Sequence, residues 1–225
     1  MLSTRRRRGP IGIDLGGRTI RAVQLSGAAG DWRVEAAAEV PRRSGADRAS
    51  EAVRLAGVLG RQGFVGQDVV LAVPGEALLT AVLDLPPRAS GAPVDRIALA
   101  EIARAHRREP ATLEVACWEL PAPARPGDAV QAMAAACEHD RAGELLDDFE
   151  SAGFEAHALD VRALALGRAG RPMWAPGEAL TAVLDIGWDA AQLAVISGGV
   201  LLYERALEAC DLRRRHAMLV DREGL

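Results

Sequence analysis

The sequence lacks lysine, and all 27 of its basic residues are arginine. The chain therefore has no side-chain amine for nucleophilic or Schiff-base chemistry. Its three cysteines, Cys117, Cys137 and Cys210, lie far apart and form no C-x-x-C pair. This spacing argues against a zinc site or a disulfide framework and favours a reducing compartment. The four histidines are scattered and no serine stands in a G-x-S-x-G context, so neither a metal site nor a serine hydrolase is indicated.

Long apolar runs are also missing, since no run approaches the ~20 residues of a membrane span. Arg5 to Arg8 resemble the start of a signal peptide, but Gly9, Pro10 and Asp14 interrupt the apolar region that should follow. We therefore expect no signal peptide and a disordered basic tail over residues 1–10. The net charge of −4 gives no general attraction to nucleic acid.

The most informative feature that is present is a segment that occurs twice. Residues 11–17 and residues 183–187 each contain an apolar run followed by aspartate, an apolar residue and glycine. A second apolar run follows each copy, at 19–25 and 190–196. The pattern predicts a β-hairpin with a carboxylate near its tip in each of two halves. Such a duplication is typical of nucleotide-binding, actin-like proteins.

The order of predicted elements agrees with this architecture. Residues 11–41 indicate three strands, 49–59 a helix and 69–73 a buried strand. The resulting βββαβ order is, by analogy, that of the ribonuclease-H-like fold, the half-unit of actin-like proteins. We predict a first subdomain over 11–85, an inserted small α/β subdomain over 86–160, the start of a second ribonuclease-H-like subdomain over 161–205, and a C-terminal tail over 206–225.

Asp14, Gly16, Gly17 and Thr19 form the sharpest candidate site. A tight glycine turn can direct backbone N–H groups toward a phosphate, and the Thr19 hydroxyl can add a donor. Asp14 can hold a water molecule on Mg²⁺, which makes it the candidate metal residue. An ordinary hairpin also needs glycine at its turn. If the motif occurred only once, this structural explanation would be preferred over phosphate binding. The second copy favours common ancestry with phosphate-binding proteins.

The second hairpin is chemically altered. Asp185 and Gly187 are its candidate cofactor residues, but it has no serine or threonine where a phosphate hairpin usually supplies a hydroxyl. Trp188 is bulky, and Asp189 adds a negative charge that opposes a polyanion. We therefore expect weak or no nucleotide binding.

The order of these segments resembles the PilM family of type IV pilus assembly proteins. The resemblance covers residues 11–205 and depends on the order and intervals of several segments rather than on one motif. These segments are Ile11 to Leu25, Val69 to Gly75, Leu83 to Pro86, Leu145 to Val161, Val183 to Gly187 and Ser197 to Arg205.

The resemblance implies an actin-like protein at the cytoplasmic side of the inner membrane. Its relatives bind ATP between two halves, and they bind the N-terminal peptide of a single-pass partner, PilN, near the inserted subdomain. Because the adenosine-binding part of the second half is missing here, we expect a non-catalytic scaffold of a type IV pilus or type II secretion-like platform. The incomplete second sheet exposes an edge that invites a partner or a homo-oligomer.

Two other interpretations stay open. Asp14 to Gly17 also resemble the opening of ROK-type sugar kinases, so the chain could be such a kinase or another actin-fold ATPase fragment. The sequence has neither the cysteine-rich zinc motif nor the catalytic aspartate motif of that class, which disfavours it. The third interpretation is a gene remnant without function.

Overall fold

The structure is a computed structural model that describes residues 8–28, 31–121, 129–171, 180–207 and 210–223. The chain forms two compact units. The first comprises Met1–Ala72 and Gly143–Asp160, and the second comprises Val73–Ala142 and Val161–Leu225.

A five-stranded sheet forms the first unit. Its strands are β1 (Arg8–Leu15), β2 (Thr19–Ala28), β3 (Asp31–Pro41), β4 (Asp68–Ala72) and β8 (Glu155–Asp160), in the order β3-β2-β1-β4-β8. The first three strands are antiparallel, whereas β4 pairs in parallel with both β1 and β8. With helix α1 (Arg48–Arg61) between β3 and β4, the predicted βββαβ order is confirmed.

The core of this sheet follows from the alternation of apolar side chains along its strands. Apolar residues of β1, β2 and β4 pack with α1 and with α3 (His139–Glu150) in one buried cluster that includes Ile11, Ile13, Ile20, Leu55, Leu71, Leu145 and Phe149. Helix α1 begins after Asp47, whose side chain accepts a hydrogen bond of 2.6 Å from Ser50 N. This cap satisfies one of the N–H groups that a helix start leaves without a partner.

The second unit contains two three-stranded antiparallel sheets. The first is formed by β5 (Leu79–Leu85), β7 (Val130–Glu138) and β6 (Leu113–Glu119), with the alanine-rich β7 in the centre and α2 (Val94–His106) packed against the sheet. The other contains β9 (Thr181–Ile186), β10 (Ala191–Ser197) and β11 (Val200–Leu207), in the order β11-β10-β9. Helix α4 (Arg162–Gly170) covers one face of it, and α5 (Leu212–Glu223) follows.

Trp118 links the two sheets of the second unit. Its indole Nε1 donates a hydrogen bond of 3.0 Å to Leu201 O, so β6 is joined to β11. The same side chain packs against the small core of Ala163, Ala194 and Ile196. One tryptophan thereby fixes the inserted sheet to the sheet that carries the second hairpin.

Sheet membership moves two of the predicted domain boundaries. Strand β5, expected in the first subdomain (11–85), pairs with β7 and belongs to the inserted sheet. Strand β8, expected in the insertion (86–160), pairs with β4 and completes the first sheet. Both are short strands, and such a sequence does not reveal which distant strand provides its hydrogen bonds.

The predicted tails also need correction. Of the basic tail expected over 1–10, residues 1–7 lie outside the described part, whereas Arg8 to Pro10 begin β1. The C-terminal tail expected over 206–225 contains the end of β11 and the twelve-residue α5. None of the described helices combines the length and apolarity needed to cross a lipid bilayer.

Candidate functional site

The first hairpin joins β1 to β2 within the first unit. Asp14 lies opposite Arg21, and Leu15 lies opposite Ile20, in an antiparallel register without a shift at the tip. The four predicted residues of this site are therefore together: Asp14, Gly16 and Thr19 are half-buried and Gly17 is exposed at the turn.

Glycine is required at position 16 by a close backbone approach. A Cβ atom there would lie 2.8 Å from Thr19 O, too close for any real side chain. The turn is also bound by the residue that follows β3, because Arg42 donates from its guanidinium to Gly16 O at 3.3 Å and from its backbone N to Arg18 O at 2.8 Å. The first hairpin thus keeps a tight glycine turn, a carboxylate and a hydroxyl, with a guanidinium beside them.

The second hairpin has the same backbone design in the second unit. Asp185 lies opposite Gln192, and Ile186 lies opposite Ala191, which reproduces the register around Asp14. Gly187 donates from its backbone N to Ala190 O at 2.8 Å, and a Cβ atom on Gly187 would lie 2.8 Å from that oxygen. The duplication inferred from sequence is therefore present in backbone geometry.

The side chains around the second hairpin differ from those of the first. Arg162, at the start of α4, places its guanidinium 4.0 Å from the Asp185 carboxylate. Gln192 donates from Nε2 to Glu204 on β11, and burial raises the pKa of the Glu204 carboxyl, although this hydrogen bond and the charge of Arg162 partly oppose the rise. Asp185 therefore belongs to a polar cluster of the protein itself, formed by Arg162, Asp185, Gln192 and Glu204.

Helix α5 closes the tip of the second hairpin. Leu212 N donates to Gly187 O at 3.0 Å, and Arg213 N donates to Trp188 O at 2.9 Å. The Arg213 guanidinium also lies 3.4 Å from the Asp189 carboxylate. The first N–H groups of a helix are those that can bind an anion, and here two of them bind the turn.

Sequence reasoning missed this contact because the segment was predicted as a tail. The sequence signal that could have indicated α5 was Asp211, because aspartate is a preferred residue at a helix start. In the structure its side chain is 6% exposed and accepts a hydrogen bond of 2.8 Å from Arg214 N as the cap of α5. Trp188 also stacks at a tilt on His216, with 5.7 Å between ring centroids. The bulky residue that was predicted to obstruct a phosphate therefore contacts α5.

The candidate residues fall into two groups. Asp14, Gly16, Gly17 and Thr19 belong to the first unit, and Asp185 and Gly187 belong to the second. Within the described ranges, no three histidine, cysteine, aspartate or glutamate side chains come close enough together to hold a metal ion. Asp14 remains a single-carboxylate candidate, consistent only with the water-mediated magnesium contact that was predicted.

A separate concave region lies on the inserted sheet of the second unit. An open cavity of about 370 Å³ is lined by Arg88, Ala92, Pro93, Val94, Asp95 and Arg96. A narrow, mainly apolar cleft of only about 10 Å³ adjoins it through Arg88 and Val94, and is also lined by Leu85, Pro86, Trp118, Val130 and Ala132. Burial and the charge of Asp95 raise the pKa of the Cys117 thiol in this cleft, which makes it a poor nucleophile. Concave regions that combine apolar and polar lining residues are typical of ligand-binding sites.

Comparison with known proteins gives a family and a fold. The family model described as type IV pilus assembly protein PilM matches residues 12–209. A comparison with curated protein sequences gives no match.

Three solved structures are similar to this chain to different degrees. A PilM-PilN type IV pilus biogenesis complex matches with a TM-score of 0.79 and 21% identity, over 96% of this chain and 66% of that chain. The cytoplasmic domain of EpsL, an inner membrane component of the type II secretion system of Vibrio cholerae, matches with a TM-score of 0.57 and 13% identity, over 89% and 71%. A Bacteroides thetaiotaomicron protein with an actin-like ATPase fold and unknown function matches with a TM-score of 0.49 and 11% identity, over 94% and 74%.

The chain thus spans slightly less than two thirds of the length of the first of these structures. At identities of 21% and 13% the first two likenesses show the fold alone. Together with the sheet order of the first unit, they confirm the α/β, actin-like fold class predicted from the sequence.

Proposed function

Because this chain belongs to the family of type IV pilus assembly protein PilM, we propose that it is a non-catalytic scaffold of a pilus assembly platform. In this role it binds the N-terminal cytoplasmic peptide of a PilN-like single-pass membrane protein. It works at the cytoplasmic face of the inner membrane and is held there by that partner.

One observation carries the non-catalytic part of the proposal: the second hairpin lacks donors that a phosphate would need. The backbone N of Gly187 donates to Ala190 O, and Ala190 stands where the first hairpin has the hydroxyl of Thr19. A phosphate needs free N–H and hydroxyl donors at such a turn, and the Asp189 carboxylate adds repulsion. We therefore expect the second hairpin to bind a nucleotide phosphate poorly.

Calorimetric titration tests this conclusion directly. We expect Mg-ATP to bind no more tightly than about 1 mM, which is ~4 kcal/mol on the standard scale. An Asp14→Ala variant serves as the control, because it removes the candidate magnesium residue of the first hairpin. Micromolar binding that Asp14→Ala abolishes would overturn the proposal in favour of an ATPase or sugar kinase.

The partner part of the proposal is supported by the open cavity beside the inserted sheet. Its volume of about 370 Å³ falls in the size range of small-ligand pockets, and Ala92 and Pro93 line it together with the polar residues Arg88 and Asp95. An extended peptide can place an apolar side chain in this cavity while its backbone follows Arg88 and Asp95. The expected ligand is therefore a short peptide with alternating apolar side chains.

A steric block distinguishes this cavity from other surfaces. Ala92 lines the cavity, so Ala92→Trp should fill it and weaken binding of the synthetic N-terminal peptide of the PilN-like protein by about tenfold or more, ~1.4 kcal/mol. Ala111→Trp is the matched control, because Ala111 is exposed in a turn of the same unit outside the cavity. Equal binding by both variants, measured by fluorescence anisotropy, would place the peptide elsewhere.

Partner capture should also be independent of the first hairpin. The Asp14→Ala variant is expected to bind the peptide with unchanged affinity, since Asp14 lines neither the cavity nor the cleft. If the Asp14→Ala variant still unfolds cooperatively but no longer binds the peptide, the first hairpin controls peptide binding. That result would contradict the expectation that Asp14 has no part in partner binding.

A further inference from the structure

Arg88 lies between the two concave regions of the inserted sheet. It lines both the open cavity and the narrow cleft, as Val94 also does. The residue belongs to the short turn Arg88–Ser90, which lies between β5 and α2. Val94 is buried, whereas the Arg88 side chain is 55% exposed. Arg88 is therefore the outer part of the boundary between the cavity and the cleft.

The guanidinium of Arg88 reaches two carboxylates that come from different elements. Its Nη2 lies 3.3 Å from Asp95 Oδ1 in the first turn of α2, and its Nε lies 4.0 Å from Glu119 Oε1 at the end of β6. The same Nη2 lies 3.9 Å from the Sγ atom of Cys117, which lines the cleft. The side chain of Arg88 therefore bridges the start of α2 and the end of β6 at the mouth of the cleft.

The contacts of Arg88 are of a kind that a ligand can exchange. Ion pairs between exposed side chains contribute little to stability, and the side chains of Asp95 and Glu119 are 76% and 55% exposed. Because the two carboxylates share one guanidinium, this group of three side chains keeps an excess of negative charge. A second cation, supplied by a ligand, is attracted to the group and can take the place of Arg88.

The cleft beside Arg88 has apolar walls but little free space. It is lined by the buried residues Leu85, Val94 and Ala132 and by the half-buried Trp118. Its volume of about 10 Å³ is enough for about one water molecule. A ligand side chain can therefore enter the cleft only after the guanidinium of Arg88 has moved away.

We propose that Arg88 is a gate over the cleft, and that a basic side chain of the partner peptide opens it by replacing Arg88 at Asp95 and Glu119. An apolar side chain of the same peptide then enters the cleft beside Trp118, while the rest of the peptide occupies the open cavity. This inference rests on the proposed function, because its occupant is the cytoplasmic segment of the single-pass partner. Cytoplasmic segments next to a membrane span are rich in arginine and lysine, so their charge is complementary to the two carboxylates.

Peptide affinity tests the gate through the opposite signs of two changes. Arg88→Ala should strengthen binding of the synthetic N-terminal peptide of the PilN-like protein severalfold, because it removes both the competing cation and the obstacle at the cleft. Asp95→Asn should weaken binding about fivefold, ~1 kcal/mol, because the peptide cation loses a carboxylate. The same substitution should not weaken binding of a control peptide in which glutamine replaces every arginine and lysine.

Three results of this experiment would overturn the proposal. Weaker or unchanged binding by Arg88→Ala would mean that Arg88 contacts the peptide directly or does not obstruct it. Equal weakening of both peptides by Asp95→Asn would mean that no peptide cation is read by this carboxylate. A partner segment without arginine or lysine could not open the gate at all.

Alkylation of Cys117 tests the gate without any peptide, which separates its failure from a failure of the proposed function. The protein carries Cys137→Ala and Cys210→Ser, so that iodoacetamide reports on Cys117 alone. Burial and the charge of Asp95 raise the pKa of the Cys117 thiol and Arg88 opposes the rise, so removal of Arg88 changes ionisation as well as access. Rates are therefore measured across pH, and the rate of the fully ionised thiolate is compared.

Arg88→Ala should raise this thiolate rate severalfold, and bound peptide should lower the rate of the parent. Arg104→Ala is the matched control, since Arg104 is an exposed arginine of α2 that pairs with Glu101 and lines neither concave region. Equal rates for Arg88→Ala, Arg104→Ala and the parent would overturn the gate even if the peptide binds. If Arg88→Ala accelerates alkylation but the parent binds no peptide, the proposed function fails, and the occupant named here fails with it.

Discussion

Gly16 and Gly187 occupy equivalent points of two hairpins: a Cβ atom on either residue would lie 2.8 Å from the backbone oxygen of the residue three positions later. That oxygen belongs to Thr19 in the first hairpin and to Ala190 in the second. The backbone requirement is therefore common to both copies, whereas their side-chain chemistry differs. A turn held by such a contact can persist for structural reasons after its ligand has been lost.

Substitution of these glycines should destabilise both units by similar amounts. We expect Gly16→Ala and Gly187→Ala each to lower the free energy of unfolding by about 1–3 kcal/mol, because the added methyl group collides with backbone rather than with a movable side chain. Gly143→Ala, in the interior of α3 with open space around it, should instead stabilise by about 0.5–1 kcal/mol. Urea denaturation measures all three. A neutral Gly187→Ala would show that the second turn tolerates rearrangement.

Glu51 should stabilise the first unit as a carboxylate. Its burial on α1 would by itself raise the pKa, but hydrogen bonds from Arg43 N and from Arg54 outweigh burial, so the pKa lies below its ordinary value. The stabilisation is therefore present above the unfolded-state pKa, about 4.3, and is lost as pH falls through the lower folded-state value. Glu51→Gln should cost about 1.5–3 kcal/mol at neutral pH and less in acid.

The matched control for this prediction is Glu109→Gln, since Glu109 is exposed in the connection between α2 and β6. Its effect on the free energy of unfolding should stay within about 0.5 kcal/mol at every pH. If both variants lose stability in parallel on acidification, the acid sensitivity originates elsewhere in the chain.

Glu204 should have the opposite pH dependence. Burial raises the pKa of its carboxyl, so its contribution favours the folded state at low pH and is lost as pH rises through the folded-state value. Glu204→Gln keeps an oxygen that accepts from Gln192 and removes the half-buried charge. We expect this variant to be more stable than the parent at neutral pH, by on the order of 1 kcal/mol, with the gain declining in acid. Thermal melting at a series of pH values measures this difference in stability. A stabilisation by Glu204→Gln that is the same at every pH would contradict the prediction.

The hydrogen bond from Trp118 to Leu201 should stabilise the second unit. Trp118→Phe removes the donor and leaves a carbonyl without this partner, at a cost of about 1–3 kcal/mol. Trp32→Phe is the control, because Trp32 is 59% exposed on β3 and its replacement should change stability by less than about 0.5 kcal/mol. Similar melting temperatures for both variants would mean that the bond between β6 and β11 contributes little.

Local sequence patterns were sufficient to predict the hairpins. Their strands, their glycine turns and their duplication depend on alternation and on one close contact each, at Gly16 and Gly187. The residues after α3 are a further local feature, since Gly153 adopts φ = 88°, a conformation that glycine favours after a helix. Each of these features depends on residues that lie within a few positions of it in the sequence.

Contacts between distant residues could not be predicted in the same way. The sheet partners of β5 and β8 are remote in sequence, and the sequence of a short strand does not specify which strand pairs with it. The pair Arg162/Asp185 and the closure of the second hairpin by α5 depend on tertiary placement. Only Asp211 offered a local signal for α5, and a single capping residue before an arginine-rich segment was too weak to indicate a helix.

The exclusive use of arginine has a consequence for chemical labelling. The cations that hold Asp148, Asp185 and Asp189 are guanidinium groups of Arg48, Arg162 and Arg213. A guanidinium is not the primary amine that acylating reagents attack. Amine-directed reagents will therefore leave all three ion pairs unmodified.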